Sequence, residues 1–178
     1  MKKIKTNFKD LFLIKGITHY DNRGFFRELV YQKIIPKKLV FTVISKSKKN
    51  ILRGLHFQTK KPQGKLLCVL KGKISDVALD LRKNSKTYLK AFKCILSDKN
   101  NTFLYIPPGF AHGFYCHDKE NLVLYGCTNY RDKKSEKGIL WNDKDLKIKW
   151  PCKKPILSKK DKKNLSLKNY LTLKNGKS

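Results

Sequence analysis

The chain is short of the features that mark membrane, secreted and metal-binding proteins. No stretch approaches the ~20 consecutive apolar residues of a membrane span. Met1-Lys2-Lys3 carries the charge of a signal n-region, but the apolar run Leu11-Phe12-Leu13-Ile14 is too short for the region that should follow. Five cysteines (Cys68, Cys94, Cys116, Cys127, Cys152) are scattered, odd in number and without a C-x-x-C pair. That spacing suits neither a zinc site nor a disulfide framework, so reduced thiols in the cytoplasm are expected. Arginine is scarce as well: of 42 basic residues only Arg23, Arg27, Arg53, Arg82 and Arg131 are arginine. Readers of nucleic acid concentrate arginine on one face beside stacking aromatics. The formal charge of +29 therefore reads as a solvated lysine surface, with no nucleic-acid partner expected, although a phosphorylated substrate would gain from the field. Internal repeats, linkers and a sustained helical pattern before Ser158 are missing too.

What is present fits a globular protein. A length of 178 residues, 40% of them hydrophobic, suits one domain over residues 1–178 with a core of its own. From Phe25 to Tyr130 short apolar runs alternate with turns. Leu66-Leu67-Cys68-Val69-Leu70 reads as a buried strand, Lys71-Gly72-Lys73 as a hairpin turn, and Ile74 to Leu81 as the returning strand. Further strands are expected at Leu39–Ser45, Tyr88–Leu96, Phe103–Ile106, Phe114–Cys116 and Leu122–Asn129. Pro107-Pro108-Gly109 must turn, because neither proline can donate to a ladder. Ser158 to Leu167 reads as a short helix opened by an N-cap, and Leu173 to Ser178 as a frayed tail. Many short strands without helices make an all-β sandwich or barrel.

The segment Ile51-Leu52-Arg53-Gly54-Leu55-His56-Phe57-Gln58 places an Arg and a His within an apolar run. The apolar residues grip a core and hold both polar groups beside it. An Arg fork suits a phosphate, and a His suits proton transfer near neutrality. Two further strings accompany it, Pro62-Gln63-Gly64-Lys65-Leu66 and Ile106 to Phe114 with Gly109-Phe110-Ala111-His112. Gly24-Phe25-Phe26-Arg27-Glu28, Trp141-Asn142-Asp143, Trp150-Pro151 and Leu157-Ser158-Lys159-Lys160-Asp161 complete the set.

From Gly24 to Asp161 these ordered motifs resemble the dTDP-4-dehydrorhamnose 3,5-epimerase family of nucleotide-sugar enzymes. The resemblance implies a cupin-type jelly roll and proton transfer on a nucleotide-linked 4-keto-6-deoxy sugar. Hydrogens at C3 and C5 of such a sugar are acidic because the carbanion delocalises into the ketone. Inversion needs a base on one face, an acid on the other and a cation or donor at the enolate oxygen. That logic requires no metal and no cofactor.

By the resemblance, His56 is the base, Asp161 the carboxylate that orients its imidazole, Tyr125 the proton donor and Lys65 the cation near the C4 oxygen. Arg53 and Arg23 correspond to diphosphate contacts, His112 to the sugar pocket, Phe26 and Glu28 to nucleoside-side positions, and Glu136 and Lys160 to further ligand contacts. Arg23 comes from a partner subunit in the family, which implies a homodimer exchanging a first strand around Thr18–Leu29. A cupin metal site would need a His and carboxylate cluster; His56, His112 and Glu28 could imitate one, but the family uses none.

Three positions depart from the family pattern. Arg131 stands six residues after Tyr125 where a Tyr is usual, with Tyr130 expected outside the site. Phe41 and Val43 stand where a Gln-x-Asn pair meets thymine, and apolar side chains cannot reproduce amide hydrogen bonds. The base could then be guanine, as in relatives acting on GDP-linked heptoses of surface polysaccharides. A cupin-type 3,4-ketoisomerase, which returns the proton elsewhere, and a non-catalytic basic nucleotide-binding module are the alternative readings.

Overall fold

The computed structural model describes residues 1–175. Its strands in chain order are β1 (Lys2–Lys5), β2 (Phe12–Lys15), β3 (Thr18–Asp21), β4 (Gly24–Arg27), β5 (Phe41–Lys48), β6 (Leu52–Gln58), β7 (Lys65–Lys71), β8 (Lys73–Asp80), β9 (Ala91–Ser97), β10 (Thr102–Ile106), β11 (Phe110–Cys116), β12 (Glu120–Cys127) and β13 (Glu136–Gly138), followed by the helix α1 (Leu167–Asn175). A six-stranded sheet runs β1-β2-β10-β7-β12-β5, a five-stranded sheet runs β13-β6-β11-β8-β9, and β3 with β4 forms a separate hairpin. The two large sheets make the expected jelly-roll sandwich.

Side chains alternate across each strand, and here both outer faces of the sandwich are also covered. On β7, Leu67 and Val69 enter the core between the sheets with Leu104, Ala78, Phe114 and Val123. Leu66 and Cys68 point the other way and pack with Phe12, Ile35, Phe103 and Tyr105. The outer face of the five-stranded sheet carries Leu55, Val77, Leu79 and Ala111 beneath Leu146, Leu167 and Tyr170. Burial on both faces explains why Leu66 to Leu70 of β7 reads as an unbroken apolar run.

Three expectations change. Lys71-Gly72-Lys73 is not a hairpin turn: β7 and β8 lie in different sheets, and Gly72, at φ +84, turns the chain across the sandwich. The segment Thr18–Leu29 is not one strand and is not the first. Asp21 Oδ1 accepts from the Arg23 N–H at 2.9 Å, and Gly24 adopts φ +132, so the segment folds back as a hairpin. The helix expected over Ser158–Leu167 is reduced to a single 3-10 turn at Asp161–Lys163. Leu165 is taken into a parallel bridge with Ile139, which commits its backbone to strand pairing. The helix begins only at Leu167, with the Ser166 hydroxyl accepting from the Asn169 N–H at 3.2 Å; Ser166, not Ser158, makes that capping bond. The expected frayed tail starts inside this helix, and residues 176–178 lie outside the described ones.

Candidate active site

A cavity of about 540 Å³ opens between the two sheets at one end of the sandwich. From the five-stranded sheet come His56, on β6, and His112, on β11; from the six-stranded sheet come Lys65, on β7, with Tyr125 and Cys127, on β12. His56 and Tyr125 therefore stand on opposite walls, and stacked sheets lie roughly 10 Å apart, a width suited to a sugar ring.

A backbone irregularity sets the first wall. Arg53 and His56 are three residues apart, so a regular strand would send them to opposite faces. Both nevertheless line the cavity. The pairing of β6 with β11 matches His56 to His112 and Arg53 to Phe114, so three steps on β6 oppose two on β11: a β-bulge. At the bulge Gly54 has φ +115, and a Cβ there would stand 2.6 Å from both Gly113 Cα and His112 O. Glycine in the Arg-Gly-Leu-His string is thus what brings the guanidinium of Arg53 and the imidazole of His56 to one surface.

Asp161 reaches His56 from 105 residues away, Oδ1 lying 2.5 Å from Nε2. A C-terminal strap carries it. Ile156 pairs with Ile51 and Leu165 with Ile139, tying the strap to β6 and β13. Ser158 fixes the turn between them: its hydroxyl donates to Asp161 Oδ2 at 2.9 Å and accepts from the Asp161 N–H at 3.0 Å. Burial works to raise the Asp161 pKa, but the hydrogen bond and charge of His56, together with Ser158, hold it below the ordinary value. With Nε2 on Asp161, Nδ1 of His56 is left as the basic nitrogen.

His112 makes a second dyad. Its Nε2 lies 2.8 Å from Oδ2 of Asp76, and both residues are buried. Burial lowers the His112 pKa, against the opposing pull of Asp76, so the neutral ring donates Nε2–H to the carboxylate. Desolvation lowers the Lys65 pKa, with Cys127 and Asp76 opposing it. Desolvation raises that of Tyr125, while the Ser45 hydroxyl and the Arg53 guanidinium pull it down. The phenol is therefore firmly protonated at neutral pH.

At the rim, Arg53 donates to Ser47 Oγ at 2.9 Å and to the Lys46 carbonyl at 3.2 Å. Glu136 accepts from Arg131 at 2.8 Å and also from Lys160. Burial would raise its pKa, but these two cations hold it down at about 2. Phe41 and Val43 line the cavity as expected. Tyr130 does not; it stacks outside on Phe41 at 5.6 Å between ring centroids.

Arg23, Phe26 and Glu28 are not brought to this cavity. They sit on or just after the β3–β4 hairpin, with Phe26 66% exposed and Arg23 ion-paired to Asp21. Among the described residues, no group of three or more His, Cys, Asp or Glu gathers to hold a metal ion.

Asp76 and Ser158 are the residues that sequence reasoning passed over. For Asp76 a signal existed: Ile74, Asp76 and Ala78 share one face of β8, and Ile74 and Ala78 are core. A carboxylate in that register demands a buried partner. Ser158 was visible only as a helix cap.

The comparisons with known proteins agree with this geometry. The profile of the dTDP-4-dehydrorhamnose 3,5-epimerase family matches residues 5–169. The enzyme of that name from Shigella flexneri is 42% identical over 168 residues, covering 90% of this chain and 93% of the relative. A crystal structure of the dTDP-6-deoxy-D-glucose-3,5-epimerase of Legionella pneumophila, in complex with dTDP-4-keto-L-rhamnose, superposes with a TM-score of 0.90 at 38% identity over 94% of this chain and 93% of the other. The dTDP-4-dehydrorhamnose 3,5-epimerase of Bacillus anthracis, with TDP and PPi bound, gives 0.90 at 40% identity over 93% and 99%. With the profile spanning nearly the whole sandwich and the strap, this chain belongs to the dTDP-4-dehydrorhamnose 3,5-epimerase family of isomerases.

Proposed function

We propose that the chain inverts C3, and then C5, of a dTDP-linked 4-keto-6-deoxy sugar during deoxysugar synthesis. The observation that carries this reading is the placement of His56 and Tyr125 on opposite walls of one cavity, with His112 on the His56 wall and Lys65 on the Tyr125 wall. His56 Nδ1 removes the carbon-bound proton. Lys65 faces the C4 oxygen, where charge collects in the enolate, and His112 lines the sugar pocket. Tyr125 gives its proton to the opposite face. The ketone itself acidifies the C–H bonds, so this chemistry needs no redox cofactor and no metal. Arg53 takes the diphosphate, and Glu136 and Lys160 contact the ligand at the rim.

The thymidine nucleotide comes from the relatives' names. A GDP-linked 4-keto-6-deoxyheptose of surface-polysaccharide synthesis is the second reading, favoured by one observation: Phe41 and Val43 line the cavity and can offer a base no hydrogen bonds. Incubating dTDP- and GDP-linked 4-keto sugars in D2O and locating deuterium by NMR separates the two. Incorporation at C3 and C5 of the dTDP sugar is expected; incorporation into the GDP sugar alone overturns the first reading.

We also propose a cytoplasmic homodimer in which the β3–β4 hairpin reaches a neighbouring subunit, bringing Arg23, Phe26 and Glu28 to its ligand. The hairpin exposes Tyr20, Phe25 and Phe26, and β5 is a sheet edge exposing Val43 and Ile44, which supports strand addition there. A fully active monomer at micromolar concentration, measured by sedimentation, would remove this arrangement.

A further inference from the structure

Arg131 stands where the family pattern has a tyrosine, and both its backbone and its side chain are held. The Gln58 amide brackets it, donating to the Tyr130 carbonyl at 3.4 Å and accepting from the Asp132 N–H at 2.9 Å. Gln58 is itself buried and fixed on the Lys61 carbonyl at 2.9 Å. The guanidinium is set by Glu136, which accepts from Nε at 2.8 Å. Among the described residues Nη1 and Nη2 make no hydrogen bond, and the side chain lines the cavity.

Strand register puts Arg131 at the Lys65 end of that cavity. Glu136 pairs with Gln58, two residues past His56 and away from Arg53. Lys65 pairs with Cys127, and Cys127 with Phe41; Tyr130, the neighbour of Arg131, stacks on Phe41. Glu136 is near enough for its charge to act on Lys65. Arg53 instead reaches the other end of β5, at Ser47. C1 and C4 are opposite corners of a pyranose ring. A diphosphate at Arg53 therefore turns the C4 oxygen, O4, toward Lys65 and Arg131.

The enolates formed at the two centres differ beside that oxygen. When C3 loses its proton to His56, the C–H electron pair forms a C3=C4 double bond and the carbonyl pair moves onto O4. The C3 hydroxyl oxygen, O3, and O4 are both exocyclic on that bond, so they lie cis and coplanar. When C5 loses its proton the double bond is C4=C5, and the exocyclic neighbour of O4 is the C6 methyl, which accepts nothing. A guanidinium offers coplanar N–H groups matched to a pair of oxygens. O4 carries its full charge only in the enolate, so the contact strengthens as the C–H bond breaks. Tyr125 then protonates C3 from the other face, the pair returns to carbon, and O4 is a ketone again.

We propose that Arg131 touches the substrate, its Nη groups gripping O3 and O4 of the C3 enolate, and so makes C3 the faster centre to ionise. Lys65 serves O4 at either centre; Arg131 adds a fork that C3 alone can use. The inference rests on the proposed epimerisation.

The test is deuterium uptake in D2O by the full chain, followed by NMR on three nucleotide-linked substrates. They are the 4-keto-6-deoxy sugar, its C3 epimer and a 3-deoxy analogue that lacks O3. Wild type should label C3 of the first sugar faster than C5. Arg131→Lys keeps the charge and loses the fork. It should slow C3 uptake on the first sugar by roughly tenfold to a hundredfold, the worth of a hydrogen bond to a charged group. Uptake at C5 of the C3 epimer should stay near wild type, and on the 3-deoxy analogue variant and wild type should agree at C3. Equal losses at C3 and C5, or with and without O3, would overturn the proposal and make Arg131 a general cation or a structural part of the rim. Unchanged C3 uptake would overturn it as well. Should Arg131→Lys misfold by melting temperature, Arg131→Gln is read by the same comparisons. Wild type that exchanges neither C3 nor C5 hydrogen overturns the epimerase reading, and the inference with it, before any variant is made.

Discussion

Two histidines sit directly opposite one another on paired strands, His56 on β6 and His112 on β11, and each holds a carboxylate through Nε2. They are otherwise unlike. The His112 partner, Asp76, lies on the next strand of the same sheet, and the pair is sealed in the core. The His56 partner arrives on a strap from the far end of the chain, and the His56 side chain remains 28% exposed. A base must gain and lose a proton every cycle, so it has to be reachable, whereas a residue that only shapes a pocket works best when its protonation is frozen. Burial freezes His112 in its neutral form. By the proposed mechanism, the same pair of residue types serves as base or as fixture according to where the sheet puts it.

Breaking the exposed dyad should have the largest effect. His56→Asn is expected to lower turnover by ~10²–10⁴, the usual cost of losing a general base, and to abolish deuterium exchange at C3. His112→Asn should lose less, since His112 moves no proton. Near-normal exchange in the first variant would collapse the distinction.

Tyr125→Phe comes next. The acid is needed to complete inversion but not to remove the first proton, so C3 hydrogen should still wash into D2O while epimer formation drops by ~10². If exchange and epimerisation fall together, Tyr125 holds the sugar or the enolate; if neither falls, Tyr130 is the residue to examine.

The two carboxylates sharpen the contrast. Asp161→Asn should lower kcat with the fold retained, because the amide disturbs the tautomer and leaves the protonated ring unsupported. Asp76→Asn should instead cost stability, on the order of 1–3 kcal/mol for a disturbed buried hydrogen bond, read by urea denaturation. A stable, inactive Asp76→Asn would give the buried dyad a part in proton transfer.

The smallest effect lies at the rim. Glu136 has a pKa depressed from 4.5 to about 2 in the folded chain. Its contribution to stability is complete above the unfolded value and is lost as pH falls through the folded one. Glu136→Gln should therefore flatten the fall in stability between about pH 4.5 and 2, while leaving the dyads untouched.

Much of the site was legible because its residues sit in strings whose spacing survives folding. Arg53 and His56 share one short run, and Gln63-Gly64-Lys65 shares another. Legibility failed where three-dimensional pairing, not local pattern, decides. Alternation cannot show that Gly54 starts a bulge, since only the opposing strand reveals three steps against two. Nor does it show that β7 and β8 join different sheets, because a turn glycine looks the same in a hairpin and a crossover. The helix expected from Ser158 gave way to the bridge of Leu165 with Ile139, a partner more than twenty residues distant. Asp76 was missed for a different reason: its signal, an acid in a core register, was in the string but was not weighed.

The strap has a consequence for how the chain is made. Every strand has been synthesised once the ribosome passes Gly138, yet the carboxylate that supports the base comes only with Asp161. The strands that carry Lys65, Tyr125 and His112 are thus made before the residue that, by the proposed mechanism, supports the base. By the proposed mechanism, a chain lacking the strap would hold His56 without the carboxylate that orients it.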